Sequence, residues 1–416
     1  MARLLYTLLI YLATPLILLR LLWRARRQPE YLQHLGERWG IFRTPVPNRL
    51  IWVHAVSVGE TRAAQPLIEA LQAAWPEHRI LLTCMTPTGR AAGREVYGDG
   101  VIQAFLPYDY PAAVDRFFGH FSPSFGVLME TEIWPNLLAG AQKREIPVIL
   151  ANARLSERSA RGYGKLPALV CPAFGALHAV AAQTAGDAAR IAALGAANVT
   201  VCGNIKFDVT PAPEKISLGR AWREAIGQRR IWLAASTREG EEELLLAAWR
   251  RVAVAGALLV LVPRHPQRFD QVAELLAREG VAFVRRSAGL PQQDTAVWLG
   301  DSMGEMVAYY TQAEVAFVGG SLLPLGGQNL IEAAACGCPV VVGPHTFNFQ
   351  QATADAIAVG AAVRVEDAEG LAATINRLLR ADDEIERMRL AAASFAAAHC
   401  GATARTLTLI RDSLRA

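Results

Sequence analysis

Short apolar runs alternate with helix-like segments along almost the whole chain. Seven runs lie in the first half, at residues 50–54, 80–83, 101–106, 125–129, 148–151, 179–182 and 199–202. Seven more begin at Ile231 and follow at residues 258–262, 282–284, 296–299, 314–318, 340–342 and 362–365. They lack clean apolar–polar alternation, so they are predicted to be strands covered on both faces, as in parallel sheets. Segments 61–74, 111–118 and 184–193 are predicted helices between them.

The chain has 416 residues, more than one ordinary hydrophobic core organises, so two domains are predicted. A proline-rich linker at residues 208–217 (DVTPAPEKIS) separates the two series of strands. We therefore predict an α/β protein with two doubly wound, Rossmann-like domains, at residues 28–207 and 218–416. Because ligands of open α/β sheets bind beyond the carboxyl ends of the strands, two such domains facing each other imply a cleft.

The first 27 residues differ from the rest of the chain. Residues 4–19 are almost continuously aliphatic, Trp23 follows, and Arg24, Arg26 and Arg27 come directly after it. Three interpretations compete: a signal peptide, a buried helix and a membrane anchor. No convincing cleavage site with small residues follows the run. We therefore favour an anchor at residues 1–27, spanning or steeply embedded, and the arginines on its carboxyl side predict that the remaining chain is cytoplasmic.

Charge and cysteine content narrow the class of function further. The formal net charge is +4 with both signs interspersed, and there is no long basic run, so nucleic-acid binding is not indicated. The six cysteines lie mostly in apolar segments without a CxxC pair, which is typical of buried thiols in a reducing compartment. His265 and His345 lack metal-ligand spacing, so no metal site is predicted.

The most informative segment is residues 317–349, FVGGSLLPLGGQNLIEAAACGCPVVVGPHTFNF. Gly319, Gly320, Gly326 and Gly327 permit positive φ and close approach to a ligand, and Asn329 is a candidate helix cap whose helix start would face a phosphate. Glu332, one turn further, can accept hydrogen bonds from ribose hydroxyls. A simple βα turn is the alternative for any one glycine pair. The whole segment favours a nucleotide-linked ligand.

Polar side chains also follow the predicted strands of the first domain. Glu60 follows the first strand at a helix start, where it is either catalytic or only a partner of the helix dipole. Glu130 and Glu132 follow the fourth strand. Lys206 lies near the domain junction, where a cation suits an anionic substrate or leaving group. Further polar residues of this rim are Asn152, Arg154 and Ser156.

The second domain contributes three more polar segments after strands. Ser236 and Thr237 can cap a helix, with Glu239 and Glu241 as dipole partners in its first turn. Pro263 and Arg264 offer backbone groups and a cation to a base or phosphate. The third segment is 301–306, DSMGEM.

Taken in order, these segments resemble the Kdo transferases, which add 3-deoxy-D-manno-octulosonic acid (Kdo) to the lipid A precursor of lipopolysaccharide. The resemblance runs through nearly the whole chain, in the apolar N-terminus and in HAVSVGE, METEIWP, NARLS, GNIKFD, STREGEE, VPRHP, GDSMGEM, FVGGS and GPHTFNF. It implies a GT-B glycosyltransferase fold, CMP-Kdo as donor, lipid IVA as acceptor, no metal or other cofactor, and a place at the cell inner membrane.

The resemblance also implies roles for individual residues. The family's catalytic base matches Glu60, and its transition-state-stabilising residues match Glu130 and Lys206. Its CMP-contacting positions match Pro263, Arg264, Met303, Gly304, Glu305, Asn329, Leu330, Ile331 and Glu332. The glycine loop departs from the family pattern, because Leu325 and Gln328 stand where histidines are usual.

Two alternatives belong to other classes. Another nucleotide-sugar enzyme of GT-B fold, either a transferase or an epimerase, would share the second half without needing an anchor. A membrane-tethered binding protein would keep the fold and tolerate loss of Glu60.

Overall fold

The computed structural model describes residues 1–26, 28–47, 49–208 and 210–415. The chain folds as two compact units. Unit 1 is Met1–Asp208 with Gly401–Ala416, and unit 2 is Val209–Cys400. Each unit is built on one seven-stranded sheet whose strands are all parallel.

The sheet of unit 1 has the order β3-β2-β1-β4-β5-β6-β7. Its strands are β1 Leu50–His54, β2 Arg79–Cys84, β3 Val101–Phe105, β4 Phe125–Met129, β5 Val148–Ala153, β6 Ala179–Ala182 and β7 Val199–Val201. Its helices are α1 Ala2–Ala25, α2 Leu35–Arg38, α3 Val58–Ala63, α4 Gln65–Ala74, α5 Pro87–Tyr97, α6 Pro111–Phe121, α7 Pro135–Lys143, α8 Glu157–Tyr163, α9 Pro167–Gly175 and α10 Ala185–Ala193.

The sheet of unit 2 has the order β10-β11-β9-β8-β12-β13-β14. Its strands are β8 Ile231–Thr237, β9 Leu258–Pro263, β10 Phe283–Arg285, β11 Val297–Leu299, β12 Val315–Val318, β13 Val340–Val342 and β14 Ala362–Arg364. Its helices are α11 Pro213–Ile226, α12 Glu241–Trp249, α13 Phe269–Arg278, α14 Met306–Gln312, α15 Ile331–Ala335, α16 Gln350–Ala358, α17 Ala368–Leu378 and α18 Asp382–His399; the last helix of the chain, α19 Ala402–Ser413, belongs to unit 1.

The predicted strands are confirmed, with end points that agree or shift by at most two residues. They were recognisable because both faces of each sheet are covered, so successive side chains of one strand enter different cores. In β1, Trp52 packs in one core with Leu128 and Phe117, whereas Ile51 packs in the other with Val127. Gly126 lies opposite Trp52 in the neighbouring strand, and a Cβ there would come within 2.4 Å of the indole ring.

The predicted helix at residues 61–74 is wrong in one respect, because the structure has two helices there. α3 ends at Ala63 and α4 begins at Gln65. Pro66, in the first turn of α4, has no N–H to donate and its ring clashes with the carbonyl one turn earlier, so a continuous helix is broken at this point. The predicted helix at residues 111–118 continues to Phe121, and the one at 184–193 begins at Ala185 with Thr184 as its cap.

The end of the chain also differs from the predicted boundary of the second domain. α19 joins unit 1, where the Asp208 carboxylate accepts hydrogen bonds from the backbone amides of Gly401, Ala402 and Thr403. At the other end of α19, His178 Nε2 lies 2.7 Å from the carbonyl oxygen of Ser413. The predicted linker at 208–217 is shorter than expected, because Pro213 already begins α11; Val209 lies outside the described residues.

α1 is the helix of the described chain that is long and apolar enough to cross a membrane. It has 24 residues, and most of them are apolar. Leucine and tryptophan side chains along one side are exposed, whereas Leu21 and Ala25 are buried. Arg27 of the predicted arginine cluster lies outside the described residues.

Candidate active site

A partly buried carboxylate closes the turn between β1 and α3. Ser57 is the N-terminal cap residue of α3 and Glu60 lies in its first turn. Glu60 Oε2 accepts a hydrogen bond from the Val56 amide at 2.9 Å, and Oε1 accepts one from Ser57 Oγ at 3.0 Å. The carboxylate therefore has a structural role at the helix start, and since each oxygen has two lone pairs, acceptor capacity remains.

A second carboxylate follows β4. Glu130 adopts a left-handed backbone conformation with φ 61°, which is uncommon for a residue with a side chain and is often found at functional sites. Its Oε1 lies 2.6 Å from Lys206 Nζ, and both side chains are about one third exposed (31% and 40%). The pair is therefore accessible to a ligand.

Lys206 lies in the segment after the edge strand β7, and Asn152 holds that segment beside Glu130. Asn152 is buried at the end of β5, also with positive φ. Its Oδ1 accepts a hydrogen bond from the Ile205 amide at 3.0 Å, and Asn204 Oδ1 accepts one from the Lys206 amide at 3.0 Å. These two bonds fix the turn that carries the lysine.

The carboxylates of this rim influence each other. Burial raises the pKa of Glu60, and the charges of Glu130 and Glu132 raise it further, while the Val56 amide and Ser57 lower it. The pKa of Glu132 is also raised, mainly by burial, although it accepts a hydrogen bond from Trp134 Nε1 at 2.7 Å. The structure thus brings together Glu60, Glu130, Glu132 and Lys206, as the sequence predicted.

Other predicted members of the rim have different surroundings. Ser156 caps α8 by accepting the Ser159 amide at 3.1 Å. Arg154 has an exposed side chain, and its carbonyl oxygen accepts the Thr131 hydroxyl. Asp208, the last residue of the GNIKFD segment, caps α19. The hydrogen bonds of these three residues hold loops and helix ends of unit 1 in place.

In unit 2, Arg264 and Glu332 are close enough to interact. Pro263 ends β9 and is buried, and the exposed Arg264 follows it. Burial raises the pKa of Glu332, and the charge of Arg264 opposes that shift. A cation and a partly buried carboxylate are therefore neighbours, one just after β9 and the other at the start of α15.

The helix start after the glycine loop is shifted from its predicted position. α15 begins at Ile331, and Asn329 Oδ1 accepts the Ile331 amide at 3.0 Å. Asn329 therefore satisfies a helix amide without being the cap residue. Leu330 and Ile331 are buried, 1% and 0% exposed, so their side chains are not available to a ligand.

The glycines of this loop serve two purposes. Gly320, Gly326 and Gly327 have φ of 71°, 90° and 75°, as predicted, since this region favours glycine. Gly319 has no such φ, so the expectation for it was wrong. It is required for close packing instead, because a Cβ there would lie 2.5 Å from the carbonyl oxygen of Ser236.

Sequence reasoning missed the residue that holds this loop. Glu241, expected only as a dipole partner, is fully buried. Its carboxylate accepts hydrogen bonds from the amides of Gly320 at 2.5 Å, Arg238 at 3.0 Å and Leu322 at 3.1 Å. The sequence does show a pair of acids, at positions 241 and 242, shortly after a strand. It could not show that the partners of Glu241 are Gly320 and Leu322, because these lie 79 and 81 residues away.

The segment 303–305 presents its residues differently. Met303 is 59% exposed, and Gly304 has φ 74° with open space where a side chain would lie. The Glu305 carboxylate lies 3.2 Å from Arg286 and accepts a hydrogen bond from Ser302. Its charge is thus already paired within the unit. Across the described residues, no group of three or more His, Cys, Asp or Glu side chains is placed to hold a metal ion.

Solved structures share this architecture. The chain superposes on a glycosyltransferase from Rickettsia africae with a TM-score of 0.57 at 13% identity, covering 88% of this chain and 99% of that one. A UDP-GlcNAc 2-epimerase from Neisseria meningitidis gives a TM-score of 0.59 at 15% identity, covering 87% and 100%. At these identities the likeness concerns the fold alone.

Family models and relatives identify the class and then the family. Residues 283–395 match the family described as glycosyl transferases group 1, and with two parallel seven-stranded sheets the chain is a glycosyltransferase of the GT-B class. Residues 33–209 match the 3-deoxy-D-manno-octulosonic-acid transferase (kdotransferase) family. The 3-deoxy-D-manno-octulosonic acid transferase of Bordetella pertussis is 45% identical over the full length of both chains, and that of Haemophilus influenzae is 39% identical over 100% of this chain and 99% of its own. The chain belongs to this family, which confirms the predicted resemblance and fold.

Proposed function

We propose that the chain transfers Kdo from CMP-Kdo to the lipid A precursor in lipopolysaccharide biosynthesis, with Glu60 as general base. One observation carries the proposal: Glu60, with its raised pKa, lies beside the Glu130–Lys206 pair, in a chain 45% identical from end to end to a Kdo transferase. The family membership supports the reaction, and the rim supports the assignment of residues.

The reaction forms one bond and breaks one. A sugar hydroxyl of the acceptor attacks the anomeric carbon of Kdo, the bond from that carbon to the phosphate oxygen breaks, and CMP leaves with the bonding electrons. The hydroxyl proton passes to the Glu60 carboxylate. A base works best when its pKa lies close to the working pH, so the burial and neighbouring charges that raise the pKa of Glu60 suit this role.

Glu130 and Lys206 are proposed to stabilise the transition state. An oxocarbenium-like sugar carries positive charge, which a neighbouring carboxylate stabilises. The ammonium group of Lys206 holds Glu130 in place at 2.6 Å and has two further N–H donors. These can serve the donor's carboxylate or the charge that develops on the leaving phosphate.

The donor is proposed to bind unit 2. Arg264 would contact the base or phosphate, Glu332 the ribose hydroxyls, and Pro263 and residues 303–305 the nucleotide. The amides of Asn329 and Leu330 are proposed donors for an anion, while the Ile331 amide already donates to Asn329 Oδ1. Because Leu330 and Ile331 are buried, their part in the proposal is restricted to the backbone, and because Glu305 is paired with Arg286, its part is to hold segment 303–305.

The acceptor is proposed to be lipid IVA, drawn from the inner membrane. The exposed leucines of α1 support membrane association. Both units are proposed to lie on the cytoplasmic side, where the arginines at the carboxyl end of α1 meet the negative surface potential of that leaflet. Arg24 and Arg26 are exposed in the structure.

Donor discrimination tests this proposal. The purified full-length chain in detergent is incubated with CMP-Kdo or with UDP-GlcNAc. The nucleotide released is measured in the presence and in the absence of lipid IVA. We expect CMP release that depends on the lipid, and no UDP release. Turnover of UDP-GlcNAc in place of CMP-Kdo would assign the chain to another GT-B activity, and lack of turnover with both would overturn the proposed reaction.

A further inference from the structure

α1 has two chemically different sides. One side carries exposed leucines over almost its whole length: Leu4, Leu5, Leu8, Leu9, Leu12, Leu16, Leu19 and Leu22, with Trp23 at its end. The opposite side is partly or fully buried at positions that recur every three to four residues: 6, 7, 10, 13, 14, 17, 21 and 25. This periodicity places the second set on one helical face, against unit 1.

The buried side is held by polar contacts. Tyr6 donates a hydrogen bond to Asp109 Oδ2 at 3.0 Å, and Thr14 Oγ1 lies 2.8 Å from the Tyr110 hydroxyl. Thr7 Oγ1 exchanges hydrogen bonds with the Asn136 amide group at 3.0–3.2 Å. The ring of Tyr11 packs on Tyr110 with 4.9 Å between centroids. These contacts join residues about 100 or more positions apart, so they are tertiary contacts of unit 1.

Asp109 is also fixed from the other side. Its carboxylate accepts the amides of Asn136 at 3.0 Å and Leu137 at 2.7 Å, which are at the start of α7. The same residue therefore holds α1 and caps α7, the helix that follows the segment with Glu130 and Glu132. Asp109 is only 3% exposed, so it is part of the interior of unit 1.

Docking and spanning exclude each other for this helix. At 24 residues, α1 is about 36 Å long, close to the thickness of a hydrocarbon core. The docking residues occupy its second to fourth turns, which a spanning helix would place within hydrocarbon. Asp109, Asn136 and the start of α7 would then have to enter the hydrocarbon with the docking residues or lose these partners. A polar group without a partner in hydrocarbon is strongly unfavourable.

We propose that α1 does not cross the bilayer but lies along its interface, docked on unit 1 through Tyr6, Thr7 and Thr14, with its leucine side in lipid. The occupant of that side is a bilayer surface, because the exposed Arg20, Arg24 and Arg26 stand beside the leucines and Trp23. Cations and tryptophan beside an apolar stripe suit anionic headgroups and their boundary with the acyl chains. This inference deepens the proposed membrane association and rests on it for the choice of bilayer as partner.

Depth-resolved fluorescence quenching tests the orientation. A label is placed on a single introduced cysteine in the full chain, after the three partly exposed cysteines, Cys171, Cys336 and Cys400, have been replaced by serine. The protein is bound to vesicles of phosphatidylethanolamine and phosphatidylglycerol that contain shallow or deep nitroxide quenchers. Leu5→Cys, Leu12→Cys and Leu19→Cys sample one side at intervals of seven residues, or about two turns.

An interfacial helix gives equal, mainly shallow quenching at the three positions. Deep quenching at Leu12→Cys with shallow quenching at the two ends would show a spanning helix, and lack of quenching at all three would show that protein covers the leucines. Either result overturns the proposal. Kdo transfer does not enter this measurement, so a failure of the proposed reaction would leave the quenching pattern unchanged.

A second label tests the docking contacts. Ala13→Cys lies on the partly buried side, so its label should be protected from both quenchers. The triple variant Tyr6→Phe, Thr7→Val and Thr14→Val should remove that protection, while Tyr11→Phe, which keeps the ring on Tyr110, should retain it. Protection that survives the triple variant would overturn docking through these contacts.

Discussion

Glu60, Glu130 and Glu241 all lie shortly after a strand, yet their partners give them different properties. Glu60 accepts two local hydrogen bonds and remains partly accessible, with its pKa raised by burial. Glu130 is exposed to the rim and paired with Lys206. Glu241 is fully buried and accepts three backbone amides. The hydrogen-bond partners and the burial of each side chain therefore give the three residues different candidate roles. Glu60 is a candidate base, Glu130 a candidate for stabilising charge, and Glu241 a support of the glycine loop.

The pH dependence of turnover tests the coupling between Glu60 and Glu130. The base must be deprotonated, so activity falls as the pH decreases through the pKa of Glu60, which burial and Glu130 hold above the ordinary value for glutamate. Glu130→Gln removes a negative charge that raises the pKa of Glu60. It should therefore move the acid limb of the kcat/KM profile to lower pH, and it should also lower the maximum value of kcat/KM. The exposed Glu157→Gln is the control and should leave the limb unchanged. An acid limb at the same pH in Glu130→Gln would show that the two residues do not interact.

Glu241→Gln tests the support of the glycine loop. The carboxylate accepts hydrogen bonds from three backbone amides, whereas the glutamine side chain has only one acceptor oxygen and places an NH2 group beside these donors. A buried donor that loses its acceptor costs about 1 to 3 kcal/mol of stability. We expect a lower free energy of unfolding and weaker CMP binding. Glu239→Gln, at a side chain that is 85% exposed, should change neither quantity. Wild-type stability and CMP affinity in Glu241→Gln would show that this carboxylate does not support the loop.

Glu332→Ala tests the donor site more directly. The carboxylate is proposed to accept ribose hydroxyls, so its loss should weaken CMP binding by about 1 to 3 kcal/mol without unfolding the chain. Isothermal titration calorimetry with CMP measures the change, and Glu369→Ala, exposed on α17, serves as control. Equal affinities in the two variants would exclude Glu332 from the site.

At the scale of elements, the strands could be predicted because both faces of each sheet are covered and therefore apolar. Contacts that join distant parts of the chain could not be predicted. Asp208 caps α19 across 193 residues, and Glu241 holds amides 79 and 81 residues away. Hydrophobic periodicity reports the environment of one segment, whereas these hydrogen bonds depend on which segments meet in the folded chain. The site residues near strand ends were found because parallel strands bring their carboxyl ends to one edge.

Deleting residues 1–27 tests the role of α1 as an element. Unit 2 has a core of its own, so the shortened chain should still bind CMP while it leaves the membrane fraction. Unit 1 should become less stable, because Asp109 and Asn136 lose their partners on α1. Flotation on a density gradient and CMP calorimetry measure the two effects.

A matched variant separates lipid contact from docking. Leu5→Ser, Leu12→Ser and Leu19→Ser together change only the exposed side of α1 and should release the chain from membranes without the loss of stability. Loss of CMP binding in the deletion variant would contradict the independence of unit 2.

At the scale of the whole molecule, the two units are proposed to have different tasks. Unit 1 would supply the base, the charge pair and the membrane helix, and unit 2 would bind the nucleotide. A substitution at Glu60 should therefore affect transfer without affecting donor affinity. If Glu60 only complements the helix dipole, its replacement costs about 1 kcal/mol of stability or less and turnover stays near normal.

The most direct test is mass spectrometry of the lipid product, made by the wild-type chain and by Glu60→Gln from CMP-Kdo and purified lipid IVA. We expect the wild-type chain to add Kdo to the lipid, and Glu60→Gln to form product at least about 10²-fold more slowly while it keeps its melting temperature and CMP affinity. Product formation by Glu60→Gln at the wild-type rate would contradict the role of the base, and an unmodified lipid after incubation with the wild-type chain would contradict the reaction itself.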